Sequence, residues 1–216
     1  MSQIRILLVD DHAIVREGYR ALLNRQPNLD LVAEAGSGEQ AYALYREHQP
    51  DLVVLDLSLP GKGGLATLIQ IRQFDPKARV LIFSMHQNPA MATKAIEAGA
   101  RGYVTKSSEP SVLIKAVTEV MQGKIALSDD MSHALALERL GGEKGLLADL
   151  TTREFEILRM LVEGKSKTEI ADTLHISAKT VANCHYIIKR KLNVQSDIEL
   201  LRVAMQQQLV TRTELG

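Results

Sequence analysis

Five polar residues in the first half of the chain each close a short apolar run. Asp10 and Asp11 follow one run, Asp56 follows another, and Ser84 and Lys106 end two more. Such runs are typical of strands buried on both faces of a parallel sheet. Because open α/β folds bind ligands at the carboxyl edge of their sheet, we expect these side chains to converge there. Each alone could be a cap, a turn residue or a salt-bridge partner, but a shared edge favours one common site.

Three converging carboxylates predict a bound cation. Two carboxylates about 4 Å apart repel each other by about 4 kcal/mol at an effective dielectric constant of about 20. Hard oxygen ligands suit Mg²⁺, with water completing its shell. A metal-bound carboxylate beside a lysine is a good phosphoryl acceptor, because the metal ion and the lysine ammonium each neutralise charge on the phosphoryl oxygens. These residue types predict phosphoryl chemistry at this edge.

The elements that would position these residues alternate between strand and helix five times up to about residue 122. Each crossover has the length that joins parallel strands through a helix. The pattern predicts a doubly wound α/β domain with a five-stranded parallel sheet of flavodoxin-like order 2-1-3-4-5. The predicted strands are residues 4–9, 29–35, 51–56, 79–84 and 102–106.

The second half predicts a smaller all-α domain of four helices. Thr151 with Glu154 forms a capping-box pattern, and Ser166, Ser177 and Ser196 precede the other three helices. The second and third helices, joined by a short turn, are typical of a helix-turn-helix that binds DNA in the major groove.

Charge in this half also favours a nucleic-acid partner, although a solvated helix face remains the alternative. Residues 165–191 hold six cations and two acids, a net charge of +4 in a chain whose 26 cations equal its 26 acids. The cations are Lys165, Lys167, Lys179, Lys189, Arg190 and Lys191.

We therefore predict three segments: a domain at 1–122, a linker with a short helix at 123–148, and a DNA-binding domain at 149–212. The linker prediction rests on glycines at 141, 142 and 145. One cysteine, Cys184, excludes an intramolecular disulfide framework. No apolar run approaches the roughly 18 residues of a membrane span, and no signal peptide is evident, so we expect a cytoplasmic protein without a membrane partner.

The first half resembles the receiver domain of two-component response regulators. The resemblance is carried by Asp10-Asp11, Asp56, Pro60-Gly61, Ser84 and Lys106. It implies that a sensor histidine kinase phosphorylates Asp56, that Ser84 and Tyr103 are switch residues, and that Lys106 contacts the phosphoryl group.

The resemblance also implies a Mg²⁺ site. Asp11, Asp56 and the backbone carbonyl of Ser58 would hold the ion, and Asp10 would support its water. The chain departs from many receivers at Ser107, where a proline commonly follows the lysine.

The second half resembles the LuxR-type output domain, and the pairing resembles a regulator of the NarL/FixJ type. Matching residues include Leu150-Thr151, Arg153-Glu154, Glu169-Ile170-Ala171, Ile176-Ser177, Lys179-Thr180-Val181 and Lys191-Leu192. The third helix departs from the family at Ala182 and Cys184, where lysine and histidine are frequent.

Six residues in and beside the helix-turn-helix are candidate DNA contacts. We expect Lys179, Thr180 and Lys189 to contact phosphates, and Asn183 and Tyr186 are candidates for bases. Lys165 is a further candidate DNA contact, and apolar residues of the fourth helix, such as Ile198 and Leu201, suggest a symmetric dimer.

We therefore predict a transcription regulator, not an enzyme, that dimerises and binds double-stranded DNA after phosphorylation of Asp56. A phosphatase of the haloacid-dehalogenase type would need a second aspartate two residues after the nucleophile, where this chain has Ser58. A regulator that works without phosphorylation is the remaining alternative.

Overall fold

The structure is a computed structural model that describes residues 3–140, 146–207 and 209. The described residues form two compact units, one drawn from the ranges 1–87 and 95–133 and the other from the ranges 88–94 and 134–216. The predicted glycine-rich break at 141–145 and the predicted domain end at 212 lie outside the described residues.

The first unit is built on a parallel sheet of order β2-β1-β3-β4-β5-β6. The strands are β1 (Ile4–Val9), β2 (Leu29–Ala35), β3 (Leu52–Leu55), β4 (Val80–Ser84), β5 (Gly102–Thr105) and β6 (Ala126–Leu127). The helices between these strands along the chain are α1 (Ala13–Leu23), α2 (Gly38–His48), α3 (Gly63–Phe74), α4 (Pro89–Glu97) and α5 (Pro110–Met121), and the first six residues of α4 belong to the other unit. The predicted doubly wound fold is confirmed.

The prediction of five strands is wrong, because the sheet has a sixth. β6 pairs in parallel with β5, matching Gly102 with Ala126 and Tyr103 with Leu127. A two-residue strand is too short to produce a periodic pattern, so the sequence alone assigns this stretch to the linker. The short linker helix follows as α6 (Asp129–Leu140).

The central strands are buried on both faces, as their unbroken apolar runs predict. Ile6 and Leu8 of β1 belong to one core cluster. Leu23 of α1 and Val117 of α5 belong to the same cluster. Leu7, which points to the opposite face, is also fully buried. Packing on both faces fixes the strand register, and therefore where each strand ends.

The second unit contains the four predicted helices, α7 (Thr152–Val162), α8 (Lys167–Leu174), α9 (Ala178–Lys191) and α10 (Asp197–Gln206). Thr151 and Ser166 each form a complete capping box at the starts of α7 and α8. His175, in the left-handed conformation at φ 52°, ends α8 shortly before Ser177 caps α9. The short turn gives the predicted helix-turn-helix. Within the described ranges, every helix is too short or too polar to span a bilayer.

Candidate functional site

The sheet brings the strand-end residues to one edge, as predicted. Backbone hydrogen bonds extend the strand pairing into them: the Asp56 N–H donates to the Val9 carbonyl at 2.9 Å, and the Lys106 N–H donates to the Ser84 carbonyl at 2.8 Å. Asp10 is tied to the carbonyl of Ala35 at 3.0 Å in the same way. The positions of these side chains therefore follow from strand register.

Lys106 bridges two buried carboxylates. Its Nζ donates to Oδ2 of Asp10 at 2.5 Å and also to Oδ2 of Asp56. Both aspartates are 2% exposed, and the lysine side chain is 6% exposed. Burial is the largest single influence on the pKa of Lys106 and lowers it, but Asp56 and Asp10 together outweigh it and raise the pKa above its usual value. The Lys106 ammonium therefore keeps its charge at neutral pH.

The acidic residues satisfy a geometric requirement for a metal ion. Asp10, Asp11, His12 and Asp56 offer ligand atoms that all lie within 4.8 Å of one another. Oδ1 of Asp11 is buried and accepts no hydrogen bond, although His12 Nδ1 lies 2.9 Å away as an ion-pair contact. An unsatisfied buried carboxylate oxygen is costly unless a cation approaches it. Three carboxylates opposed by one lysine thus fit Mg²⁺, whose preferred ligands are oxygens.

His86 connects the predicted switch residues, a role that sequence reasoning missed. Its N–H donates to Ser84 Oγ at 3.4 Å, and its carbonyl accepts from the Tyr103 hydroxyl at 2.9 Å. Its ring Nε2 lies 3.1 Å from Ser58 Oγ, and the Ser58 N–H donates to Asp56 Oδ1 at 3.1 Å. The only sequence signal was the position of His86 two residues after Ser84.

Tyr103 and Ser84 are both fully buried. Burial raises the pKa of Tyr103, so its hydroxyl stays protonated and can donate its hydrogen bond. The aromatic ring therefore occupies the inside of the first unit, beside the strand ends.

A second polar cluster joins β5 to the start of α6. The Thr105 hydroxyl donates to Asp130 Oδ2 at 2.7 Å, and the Thr105 N–H donates to Ser128 Oγ at 3.4 Å. Burial raises the pKa of Asp130, but hydrogen bonds from Ser128 and Thr105 outweigh it and hold the pKa below its usual value. Ser107, the residue that departs from the receiver pattern, donates to Thr105 Oγ1 at 3.1 Å. Sequence reasoning missed this cluster because its members are distant along the chain.

An apolar groove beside α1 leads to Lys106. Its lining includes Ile14, Val15, Tyr19, Leu22, Met85 and Pro110. Ile14, in the first turn of α1 and close in sequence to Asp10 and Asp11, is 89% exposed. A large exposed apolar side chain next to a reactive site is a candidate contact for a protein partner.

The predicted DNA contacts fall into two groups. Lys179, Asn183 and Tyr186 are exposed on α9. The other three have partners within the protein: Thr180 Oγ1 lies 2.8 Å from Ser177 Oγ, Lys189 Nζ lies 3.1 Å from Asp197 Oδ1, and Lys165 Nζ lies 3.8 Å from Glu163 Oε2. Arg190, absent from the predicted contacts, is exposed with its guanidinium carbon 5.9 Å from the centre of the Tyr186 ring.

The start of α10 packs against α9 and leaves apolar surface exposed. His185 of α9 is buried, with Nε2 at 2.9 Å from Asp197 Oδ1. Burial lowers the pKa of His185, and the nearby carboxylate offsets only part of this effect. A groove beside this contact is lined by Leu161, Ile198 and Leu201, and Ile198 is largely exposed. This is the surface predicted for dimerisation.

Family models match both units. The model described as the response regulator receiver domain matches residues 6–118, and that of the bacterial regulatory proteins of the luxR family matches residues 148–204. The chain belongs to the response regulators of the NarL/FixJ type.

Relatives and solved structures agree with this family. The transcriptional activator protein ExaE of Pseudomonas putida is 40% identical over 204 residues, which cover 93% of this chain and 95% of that protein. The response regulator UvrY of Escherichia coli strain K12 is 33% identical over 215 residues, 99% of each chain. RcsB of Salmonella enterica serovar Typhimurium, bound to promoter rprA with the phosphomimetic BeF3⁻, superposes with a TM-score of 0.78 at 27% identity, covering 94% of this chain and 98% of that one.

Membership of the response regulators bears on one alternative for the acidic site, the phosphatase. The receiver match spans Asp10, Asp56, Ser84 and Lys106. It assigns these strand-end residues to a regulatory domain, which argues against the haloacid-dehalogenase-type phosphatase.

Proposed function

We propose that this response regulator accepts a phosphoryl group on Asp56 from a sensor histidine kinase, and that phosphorylation promotes dimerisation and promoter binding. One observation carries the input step: a buried lysine bridges Asp10 and Asp56 beside an unsatisfied oxygen of Asp11. The proposal places Mg²⁺ on Asp11, Asp56 and the backbone carbonyl of Ser58, with Asp10 completing the metal site through a metal-bound water.

In the proposed transfer, Asp56 is the nucleophile. A bond forms between its carboxylate oxygen and phosphorus while the phosphorus–nitrogen bond of the kinase phosphohistidine breaks. Bound Mg²⁺ would neutralise charge on the phosphoryl oxygens. Lys106, already within reach of Asp56, would contact another phosphoryl oxygen, and the N–H of Ser58 would keep its hydrogen bond to Oδ1.

The output step needs enough free energy to change a conformational equilibrium. Moving a population from 1:99 to 99:1 requires about 5.5 kcal/mol. Hydrogen bonds to a charged group contribute about 1.5–3 kcal/mol each, so two bonds from Ser84 and Lys106 to the phosphoryl group are of the right order. His86 supports a role for Ser84 and Tyr103 as switch residues, because its backbone is bonded to both.

The groove beside α1 is the surface that we propose for kinase docking. Ile14→Asp should slow phosphotransfer from a kinase that acts on the wild type, because it places a charge on that surface. Phosphorylation by acetyl phosphate should be unaffected, since a small donor needs no docking. Ile125→Asp, at another exposed isoleucine, is the matched control. Equal slowing with both donors would place Ile14 in the reaction itself.

The DNA-binding step is proposed for α9, with a symmetric dimer formed through α10. The similarity of this chain to RcsB bound to a promoter supports promoter binding here. Lys165, Lys179, Thr180 and Lys189 are the proposed phosphate contacts, with Asn183 and Tyr186 for bases. A promoter-binding regulator acts beside the chromosome, so we propose a cytoplasmic location. The segment boundaries at 122 and 149 stay predictions.

The test measures DNA binding by the wild type and by Asp56→Ala, each with and without acetyl phosphate and Mg²⁺, at one fixed salt concentration. Salt must be fixed because phosphate contacts make affinity depend on it. The donor should tighten binding by the wild type and leave the variant unchanged. Equal binding by both under all conditions would favour the alternative, a regulator that works without phosphorylation.

A further inference from the structure

The exposed side of α9 places a neutral amide between basic residues. Four exposed residues follow one another at intervals of four, three and four positions, which places them on one stripe of the helix. They are Lys179, Asn183, Tyr186 and Arg190. The stripe has cations at its two ends and the amide in its first half.

The Asn183 amide is available for a ligand. Across the part of the chain that the structure describes, this side chain makes no hydrogen bond, and Lys179 makes no ion pair. Thr180 and Lys189 differ, because they contact Ser177 and Asp197 respectively. Asn183 therefore presents a free NH2 donor group and a free carbonyl acceptor side by side.

The backbone beneath Asn183 is held by packing. Val181 and His185, two positions to either side, are buried, and so is Ile188 one turn later. Ser177 caps the helix through a 3.0 Å hydrogen bond from the Thr180 N–H. The amide thus projects from a helix whose position is fixed before any DNA is bound, which lowers the ordering cost of a contact.

We propose that Asn183 is a specificity-determining residue that reads adenine in the major groove, an inference that rests on the proposed DNA binding. Adenine presents an N6 donor beside an N7 acceptor there, the complement of an asparagine amide. Guanine presents two acceptors and cytosine one donor, so either base satisfies only half of the amide. Lys179 and Arg190 reach phosphates on either side, and the Tyr186 ring at 5.9 Å supports the Arg190 guanidinium.

The experiment uses the full chain treated with acetyl phosphate and Mg²⁺, and a duplex pool with a randomised central segment. The wild type, Asn183→Ala and Lys179→Ala each select from the pool, and the selected duplexes are sequenced. The wild type should select adenine at one position of each half-site. Asn183→Ala should lose the preference at that position alone, whereas Lys179→Ala should keep it and bind every duplex more weakly.

Defined duplexes then isolate the contact. Replacing the selected A·T pair by G·C should weaken wild-type binding roughly 5- to 150-fold and change the affinity of Asn183→Ala little. Replacing the adenine by 7-deazaadenine, which lacks N7, should weaken the wild type and not the variant. An unchanged preference in Asn183→Ala, or equal weakening by 7-deazaadenine, would overturn the inference. A wild-type chain that selects no sequence would instead overturn the proposed function, and the inference with it.

Discussion

Replacing Lys106 by methionine should make the first unit depend on a metal ion for its stability. The substitution keeps an unbranched side chain of similar length and removes the ammonium that contacts Asp10 and Asp56. Both carboxylates would stay buried without their cation. Stability in the absence of metal should therefore fall.

The size of the loss follows from the geometry. Charges on ligand atoms at the 4.8 Å limit of the cluster repel each other by about 3.5 kcal/mol at an effective dielectric constant of about 20. Removing one partner of a buried ion pair typically costs about 3–5 kcal/mol. We expect the free energy of unfolding of Lys106→Met to fall by about 3–5 kcal/mol in metal-free buffer.

Lys115→Met is the matched control. Lys115 is 75% exposed on α5 and lies 3.9 Å from Glu119 one turn later. An exposed pair of this spacing contributes only about 0.3–0.5 kcal/mol. The two substitutions are chemically identical, so their difference isolates the buried bridge.

The assay is urea denaturation followed by circular dichroism, first with EDTA and then with Mg²⁺. A ligand at 100 times its dissociation constant stabilises a protein by about 2.7 kcal/mol, so Mg²⁺ should restore much of what Lys106→Met loses. Mg²⁺ should stabilise this variant more than Lys115→Met, because its carboxylates lack another cation. Equal losses in EDTA, or equal gains from Mg²⁺, would refute the reasoning.

Three other substitutions, the first with a matched control, test separate features. Gly64→Ala should be destabilising in urea denaturation, because its Cβ would lie 2.1 Å from the Asp56 carbonyl oxygen. Gly18→Ala, with open space around the new Cβ, should stabilise α1 by about 0.5–1 kcal/mol, and equal effects would contradict the packing argument. Asp11→Asn should weaken Mg²⁺ binding in calorimetry, since it replaces a carboxylate whose buried Oδ1 accepts no hydrogen bond; unchanged affinity would place the ion elsewhere. Burial lowers the pKa of His185 below its ordinary value of 6.5, so the unfolded chain binds the proton more readily than the folded protein. Stability should therefore fall as the pH drops through 6.5. Thermal melts of His185→Gln should lack this loss, and a pH profile identical to that of the wild type would assign the loss to other groups.

The main elements could be predicted because their signals are local. Runs such as Leu52–Leu55 identify buried strands, and Thr151 with Glu154 identifies a helix start by the hydrogen bonds that it makes. The strand-end site could also be predicted, because the apolar runs locate the ends of the strands and parallel strands place their carboxyl ends at one edge of the sheet.

The missed features depend on contacts between distant residues. β6 is two residues long and exists because β5 offers it hydrogen bonds. The contacts of His86 with Ser58 and Tyr103 span 28 and 17 positions, and no spacing rule covers them. Likewise, the pairing of Lys189 with Asp197 depends on how α10 packs, so its partner could not be read from the charge pattern of α9.

The sixth strand has a consequence for anyone who excises the first unit. A fragment ending at residue 122 would lose β6 and leave β5 as an open edge, with unpaired N–H and C=O groups that can recruit another chain. Gly102 has no side chain that would cover that edge. In the intact chain the Ala126 carbonyl oxygen lies only 2.5 Å from where a Cβ of residue 102 would be, so another strand can approach equally closely once β6 is gone. The same cut would remove Asp130 from Thr105, the neighbour of the bridging lysine. A fragment that ends beyond the first turn of α6 keeps the edge covered and should resist self-association.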